Sequence, residues 1–127
     1  MRVKTEIWVK AYLRRCMGEG CAGYINASGD DHAGAVFIHI DNLDGAHWLY
    51  GPAPAGLFET SSERRWVSCF PQSPVSLEQA EAYLASQKKY DPDLWIVEIE
   101  DKQGRHFLDD LLVEEDQNPL VKRWPGR

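Results

Sequence analysis

The stretch AGAVFIHIDNLDGAHWLYGPAP, residues 33–54, decides the fold, because it places two apolar runs on either side of Asp44-Gly45. An Asp-Gly pair between alternating apolar residues is the strongest local signal of a β-hairpin, since a type I′ turn needs positive φ at both central residues. A two-residue turn would fix the pairing of the strands, with His39 opposite Tyr50. The stretch therefore predicts a hairpin with a defined register.

The predicted register gives the hairpin two different faces, because side chains along a strand alternate. One face is aliphatic, so we expect it in the core; it consists of Val36, Ile38, Ile40 and Leu49. The other face mixes aromatic and polar side chains, namely Phe37, His39, Asp41, Trp48 and Tyr50. The sequence predicts that any functional surface of the hairpin lies on this second face.

The composition indicates one soluble domain. A chain of 127 residues buries roughly 65% of its unfolded surface, so it needs no metal or disulfide to fold. The N-terminal residues are charged, which predicts that they are not a signal peptide. No uncharged apolar run approaches the about 20 residues of a membrane span. Three cysteines without a leader indicate reduced thiols and a cytoplasmic location.

The charge of the chain is acidic but uneven. A net charge of −6 argues against general nucleic-acid binding through phosphates. Residues 1–15 nevertheless contain five Lys or Arg and one Glu. A basic helix there could bind an acidic partner or the acidic tail of the chain. The commoner case is that its charges simply face water.

Two helices are predicted from spacing and capping signals. Residues 5–17 repeat apolar side chains at intervals of three and four, with Thr5 as the N-cap. The second helix begins at Ser76, where SLEQ fits a capping box, and ends before Asp91-Pro92. Its predicted buried stripe consists of Leu77, Ala80 and Leu84.

Further strands are predicted outside the hairpin, at residues 23–27, 63–70 and 94–100, with a short edge strand at 105–108. Residues 109–127 form an acidic C-terminal tail, predicted as a short helix or an interaction segment. Residues 1–127 are thus predicted as a single α+β domain. Its simplest architecture is a mainly antiparallel sheet of about five strands with two helices packed on one face.

Several phrases together resemble a bacterial domain-of-unknown-function family of short, uncharacterised alphaproteobacterial proteins. They are RVKTEIWVKAYLRRC at residues 2–16, AGAVFIHIDNLDG at 33–45, followed by LYGPAP, and YDPDLWIVEIEDKQGRHFL at 90–108. The resemblance covers most of residues 2–108 and leaves the acidic tail outside. It implies a small intracellular protein, and it brings no activity, cofactor or catalytic residue.

The residues themselves support two functions of different classes. The first is a non-enzymatic binding or regulatory module, in which Phe37, Trp48 and Tyr50 contact a protein partner or a second copy of the chain. The same aromatic face is equally consistent with a surface that the chain itself covers. The second is a small-ligand enzyme with His39 as general base beside Tyr50 and Asp41. A structural cross-strand contact is the commoner role for such a histidine.

No cofactor or metal is predicted from the remaining motifs. Cys16 and Cys21 are five positions apart, and neither they nor the four histidines show the paired spacing of a zinc site. Cys16 also lies on the apolar stripe of the first helix, where a thiol acts as a small hydrophobe. Glycine-rich phosphate loops and nucleophile elbows are absent from the sequence.

Overall fold

The chain forms two helices, α1 (Thr5–Gly18) and α2 (Leu77–Tyr90), and five strands in the computed structural model, which describes residues 3–54 and 64–113. The strands are β1 (Ala22–Ala27), β2 (Val36–Asp41), β3 (His47–Pro52), β4 (Trp66–Ser68) and β5 (Trp95–Glu100). They form one sheet in the order β1-β5-β2-β3-β4, and every neighbouring pair is antiparallel except β2 and β5. The predicted α+β class and the mainly antiparallel five-stranded sheet are confirmed.

The turn of the β2–β3 hairpin has three residues rather than two. The backbone N–H of Asn42 donates to the carbonyl oxygen of Ala46 over 3.2 Å, which encloses three residues. The Asn42 side chain accepts from the N–H groups of Asp44 and Ala46 at 2.8 and 3.0 Å. Positive φ falls on Leu43 (63°) and Gly45 (87°). Leucine rarely adopts this conformation, so the sequence contains no signal for it.

The extra turn residue makes the predicted register wrong by one position. His39 lies opposite Leu49, and Ile38 lies opposite Tyr50. A shift of one residue moves every side chain of a strand to the other face of the sheet. Trp48 and Tyr50 therefore lie on the aliphatic face of the hairpin, and Leu49 lies on the face of His39.

The two helices cover opposite faces of the sheet, so the predicted packing on one face is wrong. One face, called the α1 face here, is buried against α1 and includes Val36, Ile38, Ile40, Val97 and Ile99. The other, the α2 face, packs Phe37, Leu49 and Ile96 against Leu84 of α2. α2 lies in the crossover connection that the parallel pairing of β2 with β5 requires, and it covers the face opposite α1. Strands at the centre of such a sheet are buried on both faces.

Thr5 does not cap α1 as predicted. Lys4 is the N-cap, and its side chain makes no capping hydrogen bond. Thr5 is completely buried, and its hydroxyl lies 3.3 and 3.2 Å from the carbonyl oxygens of His32 and Gly34. The same hydroxyl accepts a hydrogen bond from Nη2 of Arg64 at 2.7 Å. Thr5 thus ties the start of α1 to the loop between β1 and β2.

The predicted start of α2 is confirmed. The Ser76 hydroxyl accepts from the N–H of Gln79, and the Gln79 side chain accepts from the N–H of Ser76, both at 3.1 Å. Ala80 and Leu84 are buried as predicted, but Leu77 is nearly half exposed. Neither described helix is both long enough and apolar enough to span a membrane.

Two predicted strands are shorter or missing. The fourth strand is restricted to Trp66–Ser68 rather than 63–70, and residue 63 lies outside the described residues. Residues 105–108 do not form a strand. Arg105 instead folds back onto Asp101, with its Nε 2.9 Å from the carboxylate. This local bond replaces the predicted edge pairing.

The start of the acidic tail contacts α1. A 3₁₀ turn spans Asp109–Leu111, and Nη1 of Arg15 lies 2.7 Å from Oδ2 of Asp109. The basic helix therefore meets the first acidic residue of the tail, which is one of the arrangements expected from the charge pattern. The rest of the predicted tail, residues 114–127, lies outside the described residues.

Candidate functional site

The structure separates the residues predicted as a catalytic group. His39 and Asp41 lie on the α2 face, whereas Tyr50 lies on the α1 face. Tyr50 is buried, with its ring 5.6 Å from the ring of His106. The one-residue change in register is the cause. His39 and Tyr50 therefore do not meet.

The predicted aromatic surface is divided in the same way. Phe37 is buried on the α2 face, with its ring centre 6.4 Å from that of Tyr83 in α2. Trp48 and Tyr50 pack on the α1 face, where Trp48 is half-buried. Phe37, Trp48 and Tyr50 therefore do not share a surface that one partner could contact.

His39 forms a buried pair with His47, a residue that the sequence did not single out. Nε2 of His39 lies 2.9 Å from Nδ1 of His47, and the two residues are only 3% and 4% exposed. Nδ1 of His39 faces Oε1 of Glu98 at 4.0 Å. Burial lowers the pKa of His39, and the Glu98 carboxylate opposes this effect in part. A neutral His39 with its proton on Nδ1 satisfies both contacts, because Nε2 then accepts from His47.

The histidine pair joins the hairpin to the segment that leads into α2. The backbone of His47 exchanges two hydrogen bonds with Val75, at 2.8 and 3.1 Å, immediately before the cap of α2. Any acid–base chemistry at His39 would have to use His47 and Glu98 rather than Tyr50. Both imidazoles are almost completely covered, so they offer little surface to a ligand. Their contacts serve to position the strands.

Three carboxylates come together on the α2 face, and we call them the acidic trio: Asp41, Glu98 and Glu100. The parallel register of β2 and β5 places Asp41 beside Glu100, with Glu98 two residues earlier on the same face. One oxygen of each carboxylate lies within 4.8 Å of the others, and all three residues are half-buried. Carboxylate oxygens are ligands that suit Mg²⁺ or Ca²⁺. Exposed carboxylates also cluster without any ion, so this spacing alone does not define a metal site.

Strand β1 supplies neutral hydrogen-bond donors to the trio. Asn26 Nδ2 donates to Glu98 at 2.8 Å, and the Tyr24 hydroxyl donates to Glu100 at 3.1 Å. The Glu100 carboxylate raises the pKa of Tyr24, which keeps the phenol protonated as a donor. The trio is therefore held in place from the neighbouring strand without a neutralising charge from it.

The outer edge of β1 carries no strand among residues 3–54 and 64–113. β1 pairs with β5 on its inner side, and β1 is the terminal strand of the sheet. Its sequence AGYINA contains no charge and no proline. Tyr24 is 47% exposed and Ile25 is 38% exposed. The pairing with β5 is regular from Ala22 to Ile25, and a bulge follows at Asn26.

The opposite edge of the sheet is different. β4 has only three residues, and Leu112 forms a parallel bridge to Trp66 on its outer side. The N–H of Val113 donates to the carbonyl oxygen of Trp66 at 2.8 Å. The chain thus closes the β4 edge itself and leaves the β1 edge open within the part that the structure describes.

The sequence identified one member of the acidic trio, Asp41, as a candidate and did not identify Glu98 and Glu100. The alternation of Glu98 and Glu100 places their side chains on one face, and this signal was visible in the sequence. Their approach to Asp41 depends on the parallel pairing of β2 with β5, two strands more than 50 residues apart in the chain. No local pattern reveals such a pairing.

Comparison with known proteins identifies the family. A family model described as "Protein of unknown function (DUF1491)" matches residues 3–109. The crystal structure of a DUF1491 family protein from Caulobacter crescentus CB15 is similar, with 35% identity, a TM-score of 0.74 and coverage of 87% of this chain and 99% of that chain. The solution structure of a protein from A. tumefaciens has 36% identity and a TM-score of 0.68 and covers 79% of this chain and 86% of that chain. No curated protein matches. The chain therefore belongs to the DUF1491 family, whose function is unknown.

Proposed function

We propose that this protein is a non-catalytic binding module that holds a protein partner by pairing an extended segment of the partner with the outer edge of β1. The observation that carries the proposal is the contrast between the two sheet edges. An edge strand presents a row of backbone N–H and C=O groups, and these readily accept a further strand. Main-chain hydrogen bonds would give the affinity, and neighbouring side chains would give the specificity.

The composition of β1 supports this role. Proteins that avoid edge pairing place charges, prolines or bulges on their edge strands. β1 has a bulge at Asn26, but Ala22 to Ile25 form a regular segment without a charge or a proline. Partly exposed Tyr24 and Ile25 point to opposite faces of this segment, so an added strand would contact both.

The protein is still proposed as a binding module, but the binding surface is the outer edge of β1 rather than the aromatic face of the hairpin. Phe37 and Tyr50 are both buried, on opposite faces of the sheet, so a partner cannot contact them together. We place the module in a bacterial cytoplasm, because the similar structures come from bacteria and all three cysteines are unpaired thiols. A homodimer through β1 is the alternative that the experiment below separates from a different partner.

The test uses the wild type, Ile25→Lys and Ile7→Lys to capture partners from a lysate of the bacterium that naturally makes the protein. The amount of captured partner is compared between the three. We expect Ile25→Lys to lose its partner, because a charge on the edge opposes strand addition. Ile7→Lys makes the same change at a 56% exposed position of α1 and should retain it. In the purified complex, hydrogen exchange should slow in residues 22–25.

Two results would overturn the proposal. One is equal capture of the same partner by both lysine variants. The other is unchanged hydrogen exchange in β1 when the partner is bound. Native mass spectrometry of the same samples distinguishes a second copy of the chain, which doubles the mass, from a different protein.

A further inference from the structure

Resting on the proposed function, we propose that the segment that pairs with β1 is basic, with Lys or Arg at alternate positions that face the acidic trio. The juxtaposition that carries this inference is a strand edge that residues 3–54 and 64–113 leave open, directly beside three clustered carboxylates. The edge determines how the partner binds, and the carboxylates determine which side chains it carries.

The acidic trio has no cationic partner within the described residues. No Lys or Arg among residues 3–54 and 64–113 lies within ion-pair distance of the three carboxylates. The nearest basic group is His39, 4.0 Å from Glu98, and its burial keeps it neutral near pH 7. The donors from Asn26 and Tyr24 are neutral as well. Carboxylates at such short spacing repel each other, so a cation from a partner relieves an existing repulsion.

The geometry of the sheet brings an added strand within reach of the trio. Tyr24 of β1 lies directly opposite Glu98 of β5. Neighbouring strands are about 5 Å apart, so a strand outside β1 lies about 10 Å from β5. Every second side chain of that strand would project on the α2 face beside Tyr24. The long side chains of Lys and Arg can cross the exposed Tyr24 ring, which also attracts cations to its face.

A second copy of this chain does not meet the requirement. Its β1 would bring the sequence AGYINA, which contains no Lys or Arg. Two copies with a net charge of −6 each also repel one another. Charge complementarity therefore favours a different, basic protein over a homodimer.

The test uses three synthetic eight-residue peptides in which valine alternates with lysine, serine or glutamate. Binding is measured by fluorescence anisotropy, and the site is located by hydrogen exchange in residues 22–25. We expect the lysine peptide to bind at least about fivefold more tightly than the serine peptide, and the glutamate peptide to bind most weakly. The preference for lysine should decrease as salt is added.

Two double variants isolate the role of the trio. Glu98→Gln with Glu100→Gln should abolish the preference for lysine. Glu6→Gln with Glu78→Gln changes the net charge equally, in the first turns of α1 and α2, and should preserve it. A lysine preference that survives the first double variant would overturn the inference.

The outcomes also separate this inference from the proposed function. Equal binding of the lysine and serine peptides with slowed exchange in β1 overturns the basic partner and leaves edge pairing intact. A failure of all three peptides to slow exchange in β1 counts against edge pairing itself. Tight binding of Mg²⁺ or Ca²⁺ alone, lost in Glu98→Gln with Glu100→Gln, also overturns the inference, because the trio would then be neutralised by a metal ion.

Discussion

At the scale of single residues, His39 is tolerated in the core because both ring nitrogens face polar groups. Buried polar atoms cost stability unless they are hydrogen-bonded. His47 supplies a hydrogen bond at 2.9 Å, and the Glu98 carboxylate lies 4.0 Å from the other ring nitrogen, beyond hydrogen-bond distance. If both imidazoles were protonated, two N–H groups would point at each other over 2.9 Å, and the contact would break. The hairpin therefore depends on the protonation state of this pair.

We expect the free energy of unfolding to fall as the pH decreases from about 7.5 to about 5. Burial lowers the pKa of His39 in the folded protein below its unfolded value of 6.5, so the unfolded chain takes up the proton first. This stabilisation is complete at pH values above the pKa of His39 in the unfolded chain. It is lost as the pH falls toward the lower pKa of His39 in the folded protein. Urea unfolding at several pH values measures it.

The control for this prediction is a second histidine. His39→Gln should show a shallower dependence on pH than the wild type. His32→Gln removes an exposed histidine and should keep the wild-type dependence. Identical slopes for all three proteins would show that His39 does not link protons to folding.

At the scale of elements, the features predicted correctly are those that depend only on residues close together in the sequence. The capping box of α2 lies within four consecutive residues, and it forms as expected. The hairpin also forms where Asp44-Gly45 predicts it. Its register was missed because the Asn42 side chain organises a longer turn and Leu43 takes positive φ. The position of α2 was missed because α2 lies in a crossover connection that only the distant pairing of β2 with β5 reveals.

This dependence on distant pairing also limits what the sequence reveals of the site. Asp41 could be identified as a candidate because it lies within the hairpin. Glu98, Glu100 and Tyr24 lie beside it only because β5 lies between β1 and β2 in the sheet. Helix caps and turns can be recognised locally, whereas the neighbours of a carboxylate in a sheet depend on strand order.

Ser76→Ala should lower the free energy of unfolding by about 1 kcal/mol, because the N–H of Gln79 loses its acceptor at the start of α2. Ser86→Ala, at an exposed position within the same helix, should stay within about 0.5 kcal/mol of the wild type. Urea unfolding near neutral pH measures both changes. Equal stability of the two variants would mean that the cap contributes nothing to the folded protein.

At the scale of the whole molecule, the protein is organised around its parallel strand pair. β5 and β2 occupy the second and third positions of the sheet, and both helices pack against this central region. Ile38, Ile40, Val97 and Ile99 are completely buried there. The terminal strands β1 and β4 each have one neighbouring strand in the sheet, so they are held by fewer contacts.

We expect hydrogen exchange to be slowest in Val36–Asp41 and Trp95–Glu100. Amides of strands buried on both faces exchange only when the whole protein unfolds, whereas edges open locally. The amides on the outer side of β1 should exchange fastest among the strands. NMR-detected exchange of the isolated protein measures this order. Slower exchange in α2 than in β2 would contradict it.

The bridge from Leu112 to Trp66 has a consequence for assembly. A sheet with two open edges can add strands in both directions, and repeated head-to-tail addition builds fibres. Within residues 3–54 and 64–113, the chain itself blocks one of the two directions. The pairing proposed at β1 would therefore add one partner strand per molecule, and the complex would end there rather than propagate.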